Sequence, residues 1–474
     1  MKKILSETLI YGIGAILPRV IVVILNYLFI KNITHKEFAT FSNLYAGISF
    51  VNVFLSFGFE TAYFRFSSDK EKEKLTFSTS FVFLLALSGF FLLGIIIFLT
   101  PIACFLGYSQ NPEYIFWFAF IAFFDTLCVI PLASLRFHNK PIQYTLIRVA
   151  TALSQSVIVI AMFLYIPQVV LENVNLKEKV SYPFISNLLA SFIGFLLVLP
   201  ILRQFKFIIS IKLLIKMLRY SWPIMIAGMA FMINENFDKF IQKYLIPDHD
   251  AGAYGGCYKM AALMTLFVTA YRMGVEPFFF KQMNRENAKH TYAKVTEYFS
   301  FFSSAMALGI IANISWLKNI LVPNSTYWIA LDIIPIIVIA NLFFGIYYNL
   351  STWYKVTDKT HFGTLISFIG AIITILGNYF LLKKYGFMVS AWTTLISYLC
   401  MMGISYFLGQ KNYPIPYRKR KILFFISLMC LLSFVISYYT RYDFWIGNLI
   451  FILYSGIIIV NERGFILSKI NYKR

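Results

Sequence analysis

The sequence predicts an all-α integral membrane protein of about fourteen transmembrane helices. These form two six-helix lobes related by a parallel pseudo-two-fold, plus a C-terminal helix pair. Three observations carry this. Hydrophobic residues make up 59% of the 474-residue chain and charged residues only 13%, against about 25% charged in a soluble domain. The apolar residues gather into runs of about twenty or more, the length a helix needs to cross a bilayer. A short motif also recurs at a fixed offset. Runs this continuous exclude a transmembrane β-barrel, whose strands alternate apolar and polar residues.

In order, the apolar segments lie near 6–30, 38–66, 75–99, 113–135, 144–166, 182–202, 220–245, 254–280, 295–317, 327–352, 362–382, 388–408, 421–438 and 444–460. The first opens Met-Lys-Lys, like a signal peptide. Glu7, Pro18 and Arg19 interrupt it, however, and no small-residue cleavage site follows, so it reads as a retained helix. An even number of spans puts both termini on one side. The longest connection on one face is Pro167–Tyr182, and Arg203–Arg219 on the other is basic and partly amphipathic.

The formal charge of +21 would suggest nucleic acid in a soluble protein. In a membrane protein it sets orientation first. With the N-terminus and every second loop assigned to the cytoplasm, 29 of the 42 Lys and Arg residues fall on that side and 10 on the other. Both termini are therefore expected in the cytoplasm, and no nucleic-acid partner is expected.

Sliding the chain by 216 residues places Gly58-Phe59-Glu60 on Gly274-Val275-Glu276, and Arg65 on Lys281. Six spans separate the copies, so both halves run in the same direction, related by an axis along the membrane normal. The expected division is an N-terminal lobe (1–205), a basic cytoplasmic linker (206–218), a second lobe (219–410) and an extra helix pair with a basic tail (411–474).

The five cysteines form no CxxC pair, and all lie in or beside apolar runs; they read as packing residues. The five histidines fall singly in polar connections, so no metal site is expected. No phosphate loop, zinc motif or nucleophile elbow occurs. No loop is large enough to fold as a nucleotide-binding domain, and the outer loops are too short for the catalytic groups of a membrane glycosyltransferase. The expectation is a transporter, not an enzyme, without a cofactor.

Charges within spans are costly and usually face a cavity or a partner. Arg19, Arg272 and Lys259 are the cations left inside spans, and they are the candidates for lining a cationic substrate cavity. Arg272 sits one turn from Glu276, so an i,i+4 ion pair is the structural alternative. The seventh span carries Asn234, Glu235, Asn236, Asp238 and Lys239, too polar for lipid exposure. With Glu60 and Glu276, the residues Asn234, Glu235, Asp238 and Lys239 are candidates for coupling or gating. Asp125 and Arg148 read as a structural pair. Pro18, Pro223, Pro277 and Pro335, with Asn341 and Asn349, mark kinks and polar faces.

The stretches Asn236–Leu245, Ala253–Lys259, Tyr271–Phe280, Tyr348–Lys355 and Lys384–Leu395 resemble bacterial polysaccharide and oligosaccharide flippases. Those proteins belong to the multidrug/oligosaccharidyl-lipid/polysaccharide exporter superfamily. The resemblance spans nearly the whole chain in helix count and repeat, is most specific over 236–400, and is closest to the O-antigen (Wzx-like) type. Many members carry Arg where this chain has Lys239, which keeps the charge. The resemblance implies alternating-access flipping of an undecaprenyl-pyrophosphate-linked oligosaccharide across the cytoplasmic membrane, for surface polysaccharide such as lipopolysaccharide. It further implies coupling to a proton or sodium gradient, with membrane lipids and glycan assembly proteins as partners. A drug or metabolite antiporter of the same fold is the second expectation, and a membrane-embedded glycan polymerase or ligase the third.

Overall fold

The structure, a computed structural model, describes residues 17–471 except 19, 23, 68–72, 174–175, 177, 204–207, 284 and 358. Every regular element among the described residues is helical, which in lipid satisfies all backbone groups within the element. The chain separates into two compact units, residues 1–252 and 253–474.

The first unit holds α1 (Val20–Asn32), α2 (His35–Ser56), α3 (Phe59–Phe66), α4 (Glu73–Ile97), α5 (Leu99–Phe105) and α6 (Pro112–Phe137). It continues with α7 (Pro141–Leu164), α8 (Gln168–Asn173), α9 (Ser181–Leu202), α10 (Ile211–Leu245) and the first turn of α11 (Asp248–Gln282). The second unit holds the rest of α11, then α12 (Ala288–Ala312), α13 (Ile314–Leu321), α14 (Ile333–Leu350) and α15 (Thr352–Val356). Finally come α16 (His361–Tyr385), α17 (Met388–Asn412), α18 (Lys419–Phe434) and α19 (Phe444–Asn471).

Eleven helices are long and apolar enough to cross a membrane, and α1 is a shorter apolar helix. The 35-residue helices α10 and α11 are about 52 Å long at 1.5 Å per residue. Their polar and charged residues keep both below the apolarity of the eleven. The total agrees with about fourteen spans.

Local sequence explains the boundaries. Thr34 and Glu37 close a capping box at the start of α2, with Thr34 N donating to Glu37 Oε2 (2.9 Å) and Glu37 N to Thr34 Oγ1 (3.3 Å). Pro112 and Pro141 open α6 and α7 at the first turn, where the missing N–H costs nothing. Pro335 also lies in a first turn, of α14, so it caps rather than kinks.

The two copies of Gly-x-Glu differ in shape. Phe57 and Gly58 take left-handed φ values of 50° and 69° and break the first copy between α2 and α3. Gly274 lies inside the unbroken α11.

Lipid provides no hydrophobic drive between helices, so small and polar residues make the contacts. Ser397 Oγ donates to Gly370 O (3.0 Å), and Ser390 Oγ to Asn378 Oδ1 (2.6 Å), joining α16 to α17. In the first unit Asn43 Nδ2 donates to Phe240 O (2.6 Å) and Asn236 Nδ2 to Ser49 Oγ (3.1 Å), holding α10 on α2. By sequence α10 opens the second repeat; by packing it belongs to the first compact unit. Helix α14, 83% buried over its span, is the most enclosed element of the second unit, whereas α19 is 11% buried.

Candidate functional site

Each unit carries a charged cluster built on a repeat glutamate. In the first, α3 begins just after the Gly58 turn and places Glu60 against Arg136 in the last turn of α6, an ion pair half open to solvent. The Arg136 guanidinium also lies 5.4 Å from the Phe64 ring. Behind this pair is a cavity of about 680 Å³ lined by Asn52, Glu60, Asp125, Arg136, Arg148 and Ser191, with further hydroxyls from Ser49, Thr126 and Thr151. Ser191 and Asn52 reach the Asp125 carboxyl, and Arg148 acts on it electrostatically. Arg148 and Asp125 thus share a cavity, without closing the ion pair the sequence suggested.

In the second unit, Glu276 on α11 pairs with Lys355 Nζ on α15 at 2.9 Å and accepts a hydrogen bond from Tyr348 Oη at 2.7 Å. Two cations share the Tyr348 ring: Lys355 Nζ at 3.9 Å and the Arg272 guanidinium at 4.5 Å from its centroid. Such contacts stabilise a cation at the ring face. Glu276 therefore takes Lys355 as its ion-pair partner rather than the i,i+4 Arg272. The polar face foreseen on the tenth span meets α11: Thr265 Oγ1 donates to Asn341 Oδ1 (3.0 Å) and Tyr271 Oη to Asn349 Oδ1 (2.5 Å).

The other sequence candidates divide as follows. Asp238 is 2% exposed and Asn234 4%. Lys239 Nζ donates to Asp238 Oδ1 (3.0 Å) and to Glu235 O (2.8 Å), while Asn236 reaches Ser49 on α2. Lys259 is partly buried, thirteen residues before Arg272 on α11, or about 20 Å along the helix axis; the two do not form one site. Arg19 lies outside the described residues.

Sequence reasoning missed Arg136, Tyr348 and Lys355 as partners. The repeat itself held the signal: Glu60 and Arg136 are 76 residues apart, and Glu276 and Lys355 are 79.

Between α5 and α6 in the first unit, Tyr108 Oη donates to Asn43 Oδ1 (2.7 Å) under a Lys243 Nζ placed 3.1 Å from its ring centroid. Burial pushes the Tyr108 phenol far above its ordinary value, so it stays a neutral donor.

A different space lies in the second unit. A groove of about 850 Å³ runs along α12 and α19, lined by Phe301, Phe302, Met306, Phe451, Ile458 and Ile459 among others. Its lining is almost wholly apolar, ending at Glu462.

Two units of long apolar helices, each with a charged cluster, define a multi-pass membrane protein. Comparison with known proteins narrows the class. The model of the polysaccharide biosynthesis protein family matches residues 1–275, and the chain belongs to that family. Its fold is similar to an inward closed structure of the lipid II flippase MurJ, at 16% identity and TM-score 0.77, covering 97% of this chain and all of that one. It is also similar to an inward-facing multidrug resistance MATE family transporter of the MOP superfamily (13% identity, TM-score 0.65, 85% of this chain and 94% of that one). A third likeness is to the Vibrio cholerae MATE transporter VcmN (13% identity, TM-score 0.61, 86% and 96%). Among curated proteins, no relative matches by sequence.

Proposed function

We propose that the protein flips an undecaprenyl-pyrophosphate-linked oligosaccharide across the cytoplasmic membrane for surface polysaccharide of the O-antigen type. One observation carries the reading: the spaces among the described residues include two of opposite character. The first unit offers a charged, hydroxyl-lined cavity, and the second an apolar groove on a helix whose side chains mostly face outward. A substrate with a sugar–pyrophosphate head and a polyprenyl tail needs both. The head must leave water, and arginine offsets that cost because its planar donors match phosphate oxygens. Arg148 and Arg136 in the first unit and Arg272 and Lys355 in the second are placed for this. The tail gains by lying along Phe302, Met306 and Ile459 instead of crossing a polar path. The groove's place on a helix whose side chains mostly face outward, toward acyl chains, favours the lipid-linked substrate over the antiporter reading.

Both termini then lie in the cytoplasm, and the lobes rock in alternating access, driven by a proton or sodium gradient. In a strain lacking the protein, lipid-linked oligosaccharide should accumulate in the cytoplasmic leaflet, out of reach of an impermeant glycosidase. Accumulation in the outer leaflet would favour a polymerase or ligase.

A further inference from the structure

The first-unit cavity contains an acid that the ion-pair scheme leaves over. Asp125 lies thirteen residues from Pro112 and twelve from Phe137, the two ends of α6. Its carboxyl therefore sits at the mid-depth of the span, where an ionised group is most costly. Glu60 has Arg136 as its partner. Asp125 has no ion pair among the described residues, and its polar neighbours are Ser191 and Asn52. Asn52 is itself incompletely matched, because its Oδ1 is buried and accepts no hydrogen bond. An amide that donates to a carboxylate through Nδ2 can rotate and accept from a carboxylic acid through Oδ1. The site is thus furnished for both protonation states of one carboxyl, and one of the two leaves an orphan acceptor.

We propose that Asp125 is a proton-binding site of this cavity, taking up one proton on a carboxylate oxygen while Asn52 turns from donor to acceptor. The ionisable groups around it are few. Arg148 and Tyr144 come from α7, Glu60 from α3, and Cys128 and Arg136 from α6 itself; Ser191 on α9 and Met232 on α10 bring no charge. Tyr45 of α2 in turn feels the charge of the carboxyl. With Asp125 ionised, the two arginines and two acids lining the cavity cancel. With it protonated, the cavity carries one net positive charge. Proton uptake therefore favours an anion in the cavity, and a bound anion favours proton uptake by the same factor. That linkage rests on the flippase reading; the proton site does not. A sodium ion fits the cavity less well, because it adds a full charge beside two guanidinium groups, whereas a proton neutralises the acid in place.

Infrared difference spectroscopy of the purified full-length protein in lipid nanodiscs tests this, with protons or sodium chloride as the only probes. Lowering the pH from about 8 to about 5 should raise a deuterium-sensitive carboxylic C=O band in the wild type, equally in sodium and potassium chloride. Asp125→Asn should lose that band, and Asn52→Ala should move it to higher frequency through loss of the hydrogen bond. Asn52→Ala also serves as the test if Asp125→Asn does not fold. A band unchanged in both variants, or one driven by sodium rather than by pH, overturns the proposal. Neither result depends on whether the protein moves a glycan.

Discussion

At residue scale, the repeat glycines separate conformation from sequence. Gly58 has φ +69°, and a Cβ there would lie 3.0 Å from Ser221 O; Gly274 is helical, with nothing within 4 Å of such a Cβ. Gly58→Ala should therefore cost on the order of 1–2 kcal/mol and lower the melting temperature in detergent. Gly274→Ala should add about 0.5–1 kcal/mol by restricting the unfolded chain. Equal shifts in the two variants would contradict the backbone described for the first copy. The Glu276–Lys355 pair allows a sharper test. Glu276→Lys should remove surface glycan by placing three cations around Tyr348, and adding Lys355→Glu should restore it. A swapped protein no better than the single variant would mean that the ion pair is not what the site requires. Glu276 was legible in the sequence as an expensive charge. Its partner was not, because spacing along one helix offers Arg272, whereas folding brings in Lys355 from 79 residues away.

At the scale of elements, the C-terminal pair is fastened by charge as well as by packing. Lys421 on α18 lies between Glu297 of α12, at 3.3 Å, and Glu462 of α19, to which it donates a hydrogen bond. Arg418 stands 3.8 Å from Glu297. Beneath them Tyr454 Oη donates to Ser304 Oγ (2.7 Å). Removing one member of such a buried group leaves uncompensated charge, so Lys421→Met should cost on the order of 3 kcal/mol. Glu297→Gln in the same protein should recover part of that loss in a thermal melt. A Lys421→Met protein that melts like the wild type would show the pair to be held by packing alone. The apolar segments at 421–438 and 444–460 announced both helices. Nothing in their composition told that α12 receives them, since the contacts join residues more than a hundred positions apart. Helices α10 and α11 show the reverse: their charges blur the hydropathy signal, yet each forms one helix of 35 residues.

At the scale of the whole molecule, fold class was the most legible feature, because a bilayer leaves a sequence of this composition few alternatives to a helical bundle. The repeat was legible through a handful of positions, and its structural counterpart is the pair of ion pairs, Glu60 with Arg136 and Glu276 with Lys355. The cavity around Asp125 was not legible, since six helices contribute to it and none does so at a telling spacing. The proposed orientation, with both termini in the cytoplasm, rests on the basic residues. In a variant with the five native cysteines replaced, a cysteine at Lys179 should react with an impermeant maleimide in intact cells. One at Arg418 should react only after permeabilisation, and the opposite pattern would invert the assignment. The central claim is movement of a lipid-linked glycan. Purified protein reconstituted in proteoliposomes with undecaprenyl-pyrophosphate-linked oligosaccharide should bring the inner-leaflet pool within reach of an external glycosidase, and Arg272→Ala should slow this at least tenfold. Cleavage halting at the outer-leaflet pool with the wild-type protein present would contradict the account.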